Sequence, residues 1–249
     1  LVESTQQATD EQAVVKSLNE SGPAFSSEFQ LDIGDLVNEL AQRFMLSGEF
    51  MMHLARWLQK QNLWEEALSK YQKSLALGYV FPQMYMTMGQ CHKALGDNIQ
   101  ALHCYNVAIE KNPQNPSFYN EKASLLIQQG NSEQALPLLD KAYRLAPNAV
   151  GIVLAYANEL EQQGQTTKAL DIVNLFLQTQ TNPAINNMKI RLKLKNNLEE
   201  GQASYLQLVK ADLVGKDKFA WLAKATAHIS NVKAEADFLA RVEKHWQSL

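Results

Sequence analysis

Five alanines stand at one fixed interval along the chain, and this repetition limits the possible folds more than any other feature. Three glycines recur at the same interval. The alanines are Ala67, Ala101, Ala135, Ala169 and Ala203, and the glycines are Gly96, Gly130 and Gly164, each 34 residues from the next. A period of this length is typical of a repeat protein, in which each unit buries its apolar side chains only against neighbouring units.

Within one unit, apolar residues recur at helical spacing on both sides of a glycine. Tyr85 and Met88 precede Gly96, and Ala101 and Tyr105 follow it. This pattern predicts two antiparallel helices joined by a tight turn. Glycine suits the turn because the residue that closes a helix often adopts a left-handed conformation that side chains disfavour. Alanine is expected where the two helices cross closely.

These residues resemble the tetratricopeptide repeat (TPR) family, whose units are 34-residue helix pairs. The clearest unit begins at Pro82, and the next begins at Pro116. The residues that match in the first of these are Tyr85, Met88, Gly89, Gly96, Ala101, Tyr105, Ala108 and Pro113. The resemblance implies an all-α fold, namely a right-handed α-solenoid of TPR helix-turn-helix pairs with degenerate C-terminal repeats.

Four segments are expected along the chain. Residues 1–30 are rich in Ser, Thr, Gln and Glu, which predicts a mobile polar leader. Residues 31–47 have amphipathic spacing and are predicted to form an N-terminal capping or dimerisation helix. Four TPR units are expected over 48–183. Residues 184–249 are predicted to form degenerate helical repeats and a C-terminal cap, because terminal repeats need a polar outer face.

Charge and motifs argue against several classes of function. The chain has 23 Lys and Arg against 26 Asp and Glu, so it lacks the basic surface on which nucleic-acid binding depends. No apolar stretch approaches the roughly 20 residues that span a bilayer, and direct membrane insertion is not expected. Phosphate-binding glycine loops, zinc-protease motifs and nucleophile elbows do not occur. We therefore predict a protein that is not an enzyme and needs no cofactor.

Two Cys–His pairs, Cys91-His92 and His103-Cys104, contain the ligand types that zinc prefers. Adjacent helical residues point about 100° apart, so both members of a pair cannot reach one ion, and no metal site is predicted. Cys91 and His92 are expected at packing positions, whereas His103 is expected to face outward. A disulfide between the two cysteines requires an oxidising compartment, and the sequence leaves it open.

The TPR resemblance implies that a partner segment binds on the concave surface formed by the first helix of each pair. The positions that face this groove are the second, fifth, sixth, ninth and twelfth of each unit. Methionine recurs at the fifth position, and its flexible side chain suits a surface that binds varied apolar groups. The predicted groove residues are Met52, His53, Arg56, Met86, Gln90, Asn120, Ser124, Leu154 and Asn158. For Met52 and Met86, helical spacing leaves core packing open as the alternative.

The residues at these positions do not fit one known class of TPR ligand, the acidic C-terminus of a heat-shock chaperone. TPR domains that bind the acidic C-termini of heat-shock chaperones use a carboxylate clamp of Lys, Asn and Arg. This chain has Met52 and Arg56, then Thr87, then Ser117 and Glu121 at the clamp positions. Glu121 would repel a carboxylate, so this clamp is not expected.

The predicted function is a protein–protein interaction scaffold or chaperone that binds an extended or helical segment of a partner protein. The stretch from Gly89-Gln90-Cys91 to Tyr105 follows a unit that ends in Leu77-Gly78-Tyr79. This arrangement resembles the class II chaperones of type III secretion, and the match covers about 31–147. These are cytoplasmic bacterial TPR proteins that often dimerise through an N-terminal helix, which implies the same location and a homodimer here. They usually stop after three repeats, whereas this chain continues.

Two alternatives remain. One is a periplasmic or lipid-anchored TPR assembly protein for pilus or secretin biogenesis. Because the first residue is Leu, a signal peptide or lipidation site is expected to have been removed in that case. The other is an enzyme accessory or regulatory module in which the groove is occupied by the chain's own N-terminus, where the segment from Phe25 to Leu31 has suitable apolar spacing.

Overall fold

The computed structural model describes residues 47–196, 200, 201 and 204. Residues 47–196 form nine α-helices, residues 200, 201 and 204 are also helical, and none of the described residues lies in a strand. The helices are α1 (Gly48–Lys60), α2 (Trp64–Ala76), α3 (Pro82–Ala94), α4 (Asn98–Lys111), α5 (Pro116–Gln128), α6 (Ser132–Leu145), α7 (Val150–Gln162), α8 (Thr166–Thr179) and α9 (Pro183–Asn196). The predicted all-α repeat fold is confirmed. The predicted leader, nearly all of the predicted 31–47 helix and most of the predicted C-terminal cap lie outside the described residues.

The residues that define the 34-residue period occupy equivalent places in successive helix pairs. Gly96, Gly130 and Gly164 lie in the turns within pairs, with φ between +76° and +81°. Asn62 holds the equivalent turn of the first pair with φ +62°, and it is the only non-glycine residue with positive φ in the described part of the chain. The alanines at the period are fully buried: Ala67, Ala101, Ala135 and Ala169.

Residues that favour helix starts stand at the observed first turns of three helices. The Ser47 side chain accepts a hydrogen bond from the Phe50 backbone N–H at 3.1 Å and caps α1. Pro82 stands in the first turn of α3, where no intrahelical N–H is needed. Asp97 caps α4 by accepting from the Gln100 backbone N–H at 3.1 Å. Each cap satisfies a backbone donor that the helix itself leaves unpaired.

The end of α2 departs from the pattern of the later units. Gly78, with φ +80°, closes this helix, and the Tyr79 backbone N–H donates to the Ser74 carbonyl at 3.1 Å. The buried Ser74 hydroxyl donates to the Gly48 carbonyl at 2.6 Å and so ties the end of α2 to the start of α1. These two hydrogen bonds fix the start of the linker between α2 and α3 relative to α1 and α2.

The chain divides into two compact units, Leu1–Leu125 and Leu126–Leu249. In the first unit, α1 packs against α2 and α3 packs against α4. The α3–α4 contact is very close, because a Cβ atom at Gly89 would lie 2.6 Å from Cε1 of the buried Tyr105. In the second unit, α7 packs against α6 and α8, and α8 packs against α9.

Candidate functional site

A cavity of about 270 Å³ lies between α1, α2 and α3 in the first unit, and its wall is mostly apolar. The residues that line it are Met52, Arg56, Tyr71, Tyr79, Phe81, Gln83, Met84 and Thr87. Counting from Gly48 and Pro82, four of these stand at groove positions of two consecutive units: the fifth and ninth of one, and the second and sixth of the next. The structure therefore brings Met52 and Arg56 together with residues of the following repeat.

Tyr71 contributes the buried aromatic wall of the cavity. Its side chain is fully buried, and its hydroxyl donates to Gln59 Oε1 at 3.0 Å. Burial raises the pKa of Tyr71 well above its usual range, so the hydroxyl stays protonated and remains a hydrogen-bond donor. Met84, also buried, adds a flexible apolar surface from α3.

Aromatic residues of the α2–α3 linker form one edge of the cavity. The rings of Tyr79 and Phe81 meet edge to face with centroids 4.8 Å apart. Phe81 is 48% exposed and the adjacent Val80 is 44% exposed. Exposed apolar side chains beside an apolar cavity are typical of surfaces that bind another molecule.

Opposite charges lie on either side of Met52 along α1. Glu49 Oε1 lies 3.9 Å from His53 Nε2. Burial raises the pKa of Tyr79, and the nearby Glu49 carboxylate raises it further, so Glu49 lies near the Tyr79 part of the cavity wall. Arg56, one turn beyond Met52, is exposed, and no ion pair within the described residues includes it.

The predicted groove residues Gln90 and Ser124 join successive first helices within the first unit. Gln59 Nε2 donates to Gln90 Oε1 at 3.3 Å, and Lys93 Nζ donates to Ser124 Oγ at 3.4 Å. Each bond runs from the twelfth position of one unit to the ninth of the next. Within the first unit, α1 and α3 are therefore lateral neighbours, and so are α3 and the part of α5 that carries Ser124.

Met86 differs from the expected groove placement. It is only 8% exposed and packs in a core cluster with Ala101, Tyr105 and Phe118. The reason is the close α3–α4 contact at Gly89, which brings Tyr105 near enough to enclose this part of α3. Asn120, at the equivalent position of the next unit, is half-buried, and its Oδ1 is buried without a hydrogen-bond partner among the described residues.

The predicted groove residues of the second unit lie in a different environment. Leu154 is half-buried and Asn158 is exposed. Asn158 Oδ1 accepts a hydrogen bond from Arg191, which also pairs with the buried Glu161 at 2.6 Å. Lys195 lies 3.7 Å from the same carboxylate. This region is therefore polar, and its charges are paired within the unit.

Several cavity residues were not among those predicted from the sequence: Tyr71, Tyr79, Phe81, Gln83, Met84 and Thr87. Gln83 and Thr87 stand at the second and sixth positions of their unit, which the repeat assigns to the groove. A signal for two others was also present. Tyr79 and Phe81 stand in an inter-helix linker, where polar residues and proline are usual, and Tyr79 replaces the closing proline of the repeat. Tyr71 gave no such signal, because an aromatic residue at its position also fits ordinary core packing.

The two cysteines are buried free thiols, and His103 is exposed as predicted. Burial raises the pKa of Cys91 to about 11 and raises the pKa of Cys104 as well. Within the described residues, no group of three or more His, Cys, Asp and Glu side chains is placed to hold a metal ion. No helix of this part of the chain is long and apolar enough to cross a bilayer.

Solved structures share this architecture at low sequence identity. The C-terminal part of a TPR repeat-containing protein from Cytophaga hutchinsonii is 14% identical with a TM-score of 0.71, and the match covers 92% of this chain and 91% of that one. PilF of Pseudomonas aeruginosa is 16% identical with a TM-score of 0.61, over 88% of this chain and 99% of that one. YrrB, a TPR protein with an unusual peptide-binding site, is 15% identical with a TM-score of 0.51, over 86% and 98%.

Sequence models of the family identify the repeats directly. Three models described as tetratricopeptide repeat match residues 51–79, 86–150 and 126–192. No curated protein matches the chain significantly in sequence. The three matches together span more than half of the 249 residues, and the chain belongs to the tetratricopeptide repeat family.

Proposed function

We propose that the chain binds a segment of a partner protein along the first-helix face of α1 and α3, with an apolar side chain of that segment in the cavity. TPR proteins generally mediate protein–protein interaction. The observation that carries the proposal is that groove positions of two consecutive repeats, including Met52 and Thr87, line one apolar cavity. The peptide-binding site of YrrB, a structural neighbour, supports the same class of ligand.

The size and chemistry of the cavity favour a side chain over a cofactor or substrate. Its volume of about 270 Å³ is below the roughly 300–1,000 Å³ of sites for drug-sized ligands. The Thr87 hydroxyl donates to the Met84 carbonyl at 2.8 Å, so no side-chain base activates it. The protein is accordingly proposed to be a binding module without catalytic activity.

The cellular context is part of the proposal and has two versions. A cytoplasmic bacterial secretion chaperone would use the groove to keep a partner soluble, and would dimerise through 31–47. A periplasmic or lipid-anchored assembly protein for pili or secretins would use it to hold a component in place. The helical repeats continue through α9, beyond the three repeats usual in the chaperone class, and this length favours the assembly protein.

A peptide-display library tests the binding proposal. The full chain is expected to select peptides with large apolar side chains. Met52→Glu places a charge at the cavity and is expected to weaken binding of these peptides at least about tenfold, as for a central interface contact. Leu175→Glu is the matched control, because Leu175 is 54% exposed on α8 and outside the cavity. Equal binding by Met52→Glu and the wild type would contradict the proposal.

A further inference from the structure

We infer that the bound segment carries an Asp or Glu side chain within two residues of its apolar side chain, and that Arg56 binds this carboxylate. The inference rests on the proposed function, because it specifies the ligand of the same cavity. Its basis is the unequal distribution of charge around the cavity.

Arg56 is placed to meet a ligand rather than a residue of its own unit. Its side chain lines the cavity, is exposed and joins no ion pair within the described part of the chain. The Arg56 charge acts on a residue of the cavity wall. Burial raises the pKa of Tyr71, and the Arg56 guanidinium offsets part of that rise. A guanidinium presents a planar fork of donors that matches a carboxylate.

The Tyr79 side of the cavity disfavours a second acid. Glu49 of α1 lies outside the cavity lining, but it is near Tyr79 of the cavity wall and 3.9 Å from His53. A carboxylate of the ligand on that side would be repelled, whereas one at the Arg56 end would be attracted. Apart from Arg56, every residue that lines the cavity is uncharged. Charge complementarity therefore favours an acidic-apolar segment with its acid beside Arg56, one turn of α1 beyond Met52.

Short synthetic peptides test this inference. Nine-residue Ser/Gly peptides carry a central Phe, Leu, Met or Trp, with Glu, Gln or Lys as its neighbour. Acetylated and amidated ends leave the side-chain carboxylate as the single negative charge. Fluorescence anisotropy with the full chain is expected to show about two- to fivefold tighter binding of the Glu peptide than of the Gln peptide, as for an exposed ion pair. This preference should decrease as salt is added.

Substitutions at Arg56 identify the partner of the carboxylate. Arg56→Gln is expected to bind the Glu and Gln peptides equally, and Arg56→Glu to prefer the Lys peptide. Lys60→Glu is the matched control, since Lys60 is an exposed cation one turn further along α1 and outside the cavity lining. It should keep the preference for Glu.

The outcomes separate the inference from the proposed function. Equal binding of Glu and Gln peptides by the wild type, or loss of the preference in Lys60→Glu, overturns the inference and leaves binding of apolar side chains intact. Failure of every apolar peptide to bind overturns both. The chain's own Glu28-Phe29 has the same chemistry. If peptides bind only after Phe29→Ser, this segment is the occupant and the inference of a partner segment is overturned.

Discussion

Gln59 on α1 donates a hydrogen bond from Nε2 to Oε1 of Gln90 on α3 at 3.3 Å, across 31 residues of sequence. The same separation joins Lys93 to Ser124. Each bond joins the twelfth position of one unit to the ninth position of the next. The same contact therefore recurs in successive units. Gln59 also accepts from the Tyr71 hydroxyl at 3.0 Å, and it therefore connects three helices.

This relationship predicts unequal effects of removing the two glutamines. Gln59→Ala takes an acceptor from the buried Tyr71 hydroxyl, which costs about 1–3 kcal/mol of unfolding free energy. Gln90→Ala removes one part-buried bond and should cost about 1 kcal/mol or less. Urea denaturation measures both. Adding Tyr71→Phe to Gln59→Ala should recover part of the loss, and purely additive losses would contradict the role assigned to this hydroxyl.

The two methionines at the fifth position should respond differently to a charge. Met86 is buried among Ala101, Tyr105 and Phe118, so Met86→Glu should lower the free energy of unfolding by about 3 kcal/mol. Met52 lies half-buried at the cavity, so Met52→Glu should mainly reduce peptide binding. Thermal melting and anisotropy on both variants separate the effects. Similar melting temperatures for the two variants would refute this distinction.

Two helical glycines should give opposite results when changed to alanine. At Gly89, the new Cβ would lie 2.6 Å from the Tyr105 ring, and overpacking should cost about 1–3 kcal/mol. At Gly151, no atom lies within 4 Å of the new Cβ, so the higher helix propensity of alanine should stabilise the protein by up to about 1 kcal/mol. Chemical denaturation of the pair is the measurement, and a neutral Gly89→Ala would contradict the close α3–α4 contact.

Asn62 should tolerate glycine better than alanine. Its φ of +62° is a left-handed conformation that costs most side chains roughly 1–2 kcal/mol. Asn62→Ala is therefore expected to destabilise the first helix pair by about 1 kcal/mol, whereas Asn62→Gly matches the turn residue of the later repeats and should be neutral or stabilising. Equal melting temperatures for the two variants would show that this turn does not require the conformation.

The cysteines should be unreactive until the protein unfolds. Cys91 is fully buried, Cys104 is 6% exposed, and burial raises the pKa of Cys91 to about 11. Because the thiolate is the nucleophile, reaction with a disulfide reagent at pH 8 should be slow in buffer and rapid in denaturant. Raising the pH toward 11 should increase the thiolate fraction of Cys91. Rapid labelling of both thiols in native protein at pH 8 would contradict their burial.

The repeat assigns part of the cavity lining to groove positions, and the rest of the lining depends on how the helices pack. Met52 and Arg56 stand at groove positions that follow from the period, and they line one cavity with Gln83 and Thr87 of the next unit; that this surface binds a partner stays a prediction. Met86 shares the period of Met52 but is buried, since Gly89 allows Tyr105 to approach α3. The two methionines hold the same position in their units, but they differ in how closely neighbouring helices pack around them.

The sequence by itself determined the helix pairs, their turns and their order, because these depend on local signals: alanine and glycine at a 34-residue interval, caps such as Ser47 and Asp97, and helical spacing of apolar residues. Only the tertiary structure decided that Tyr71, Tyr79 and Phe81 enclose a cavity. It also decided that Arg191 donates a hydrogen bond to Asn158. Those relationships join side chains from separate helices, and their distances depend on how closely the helices approach.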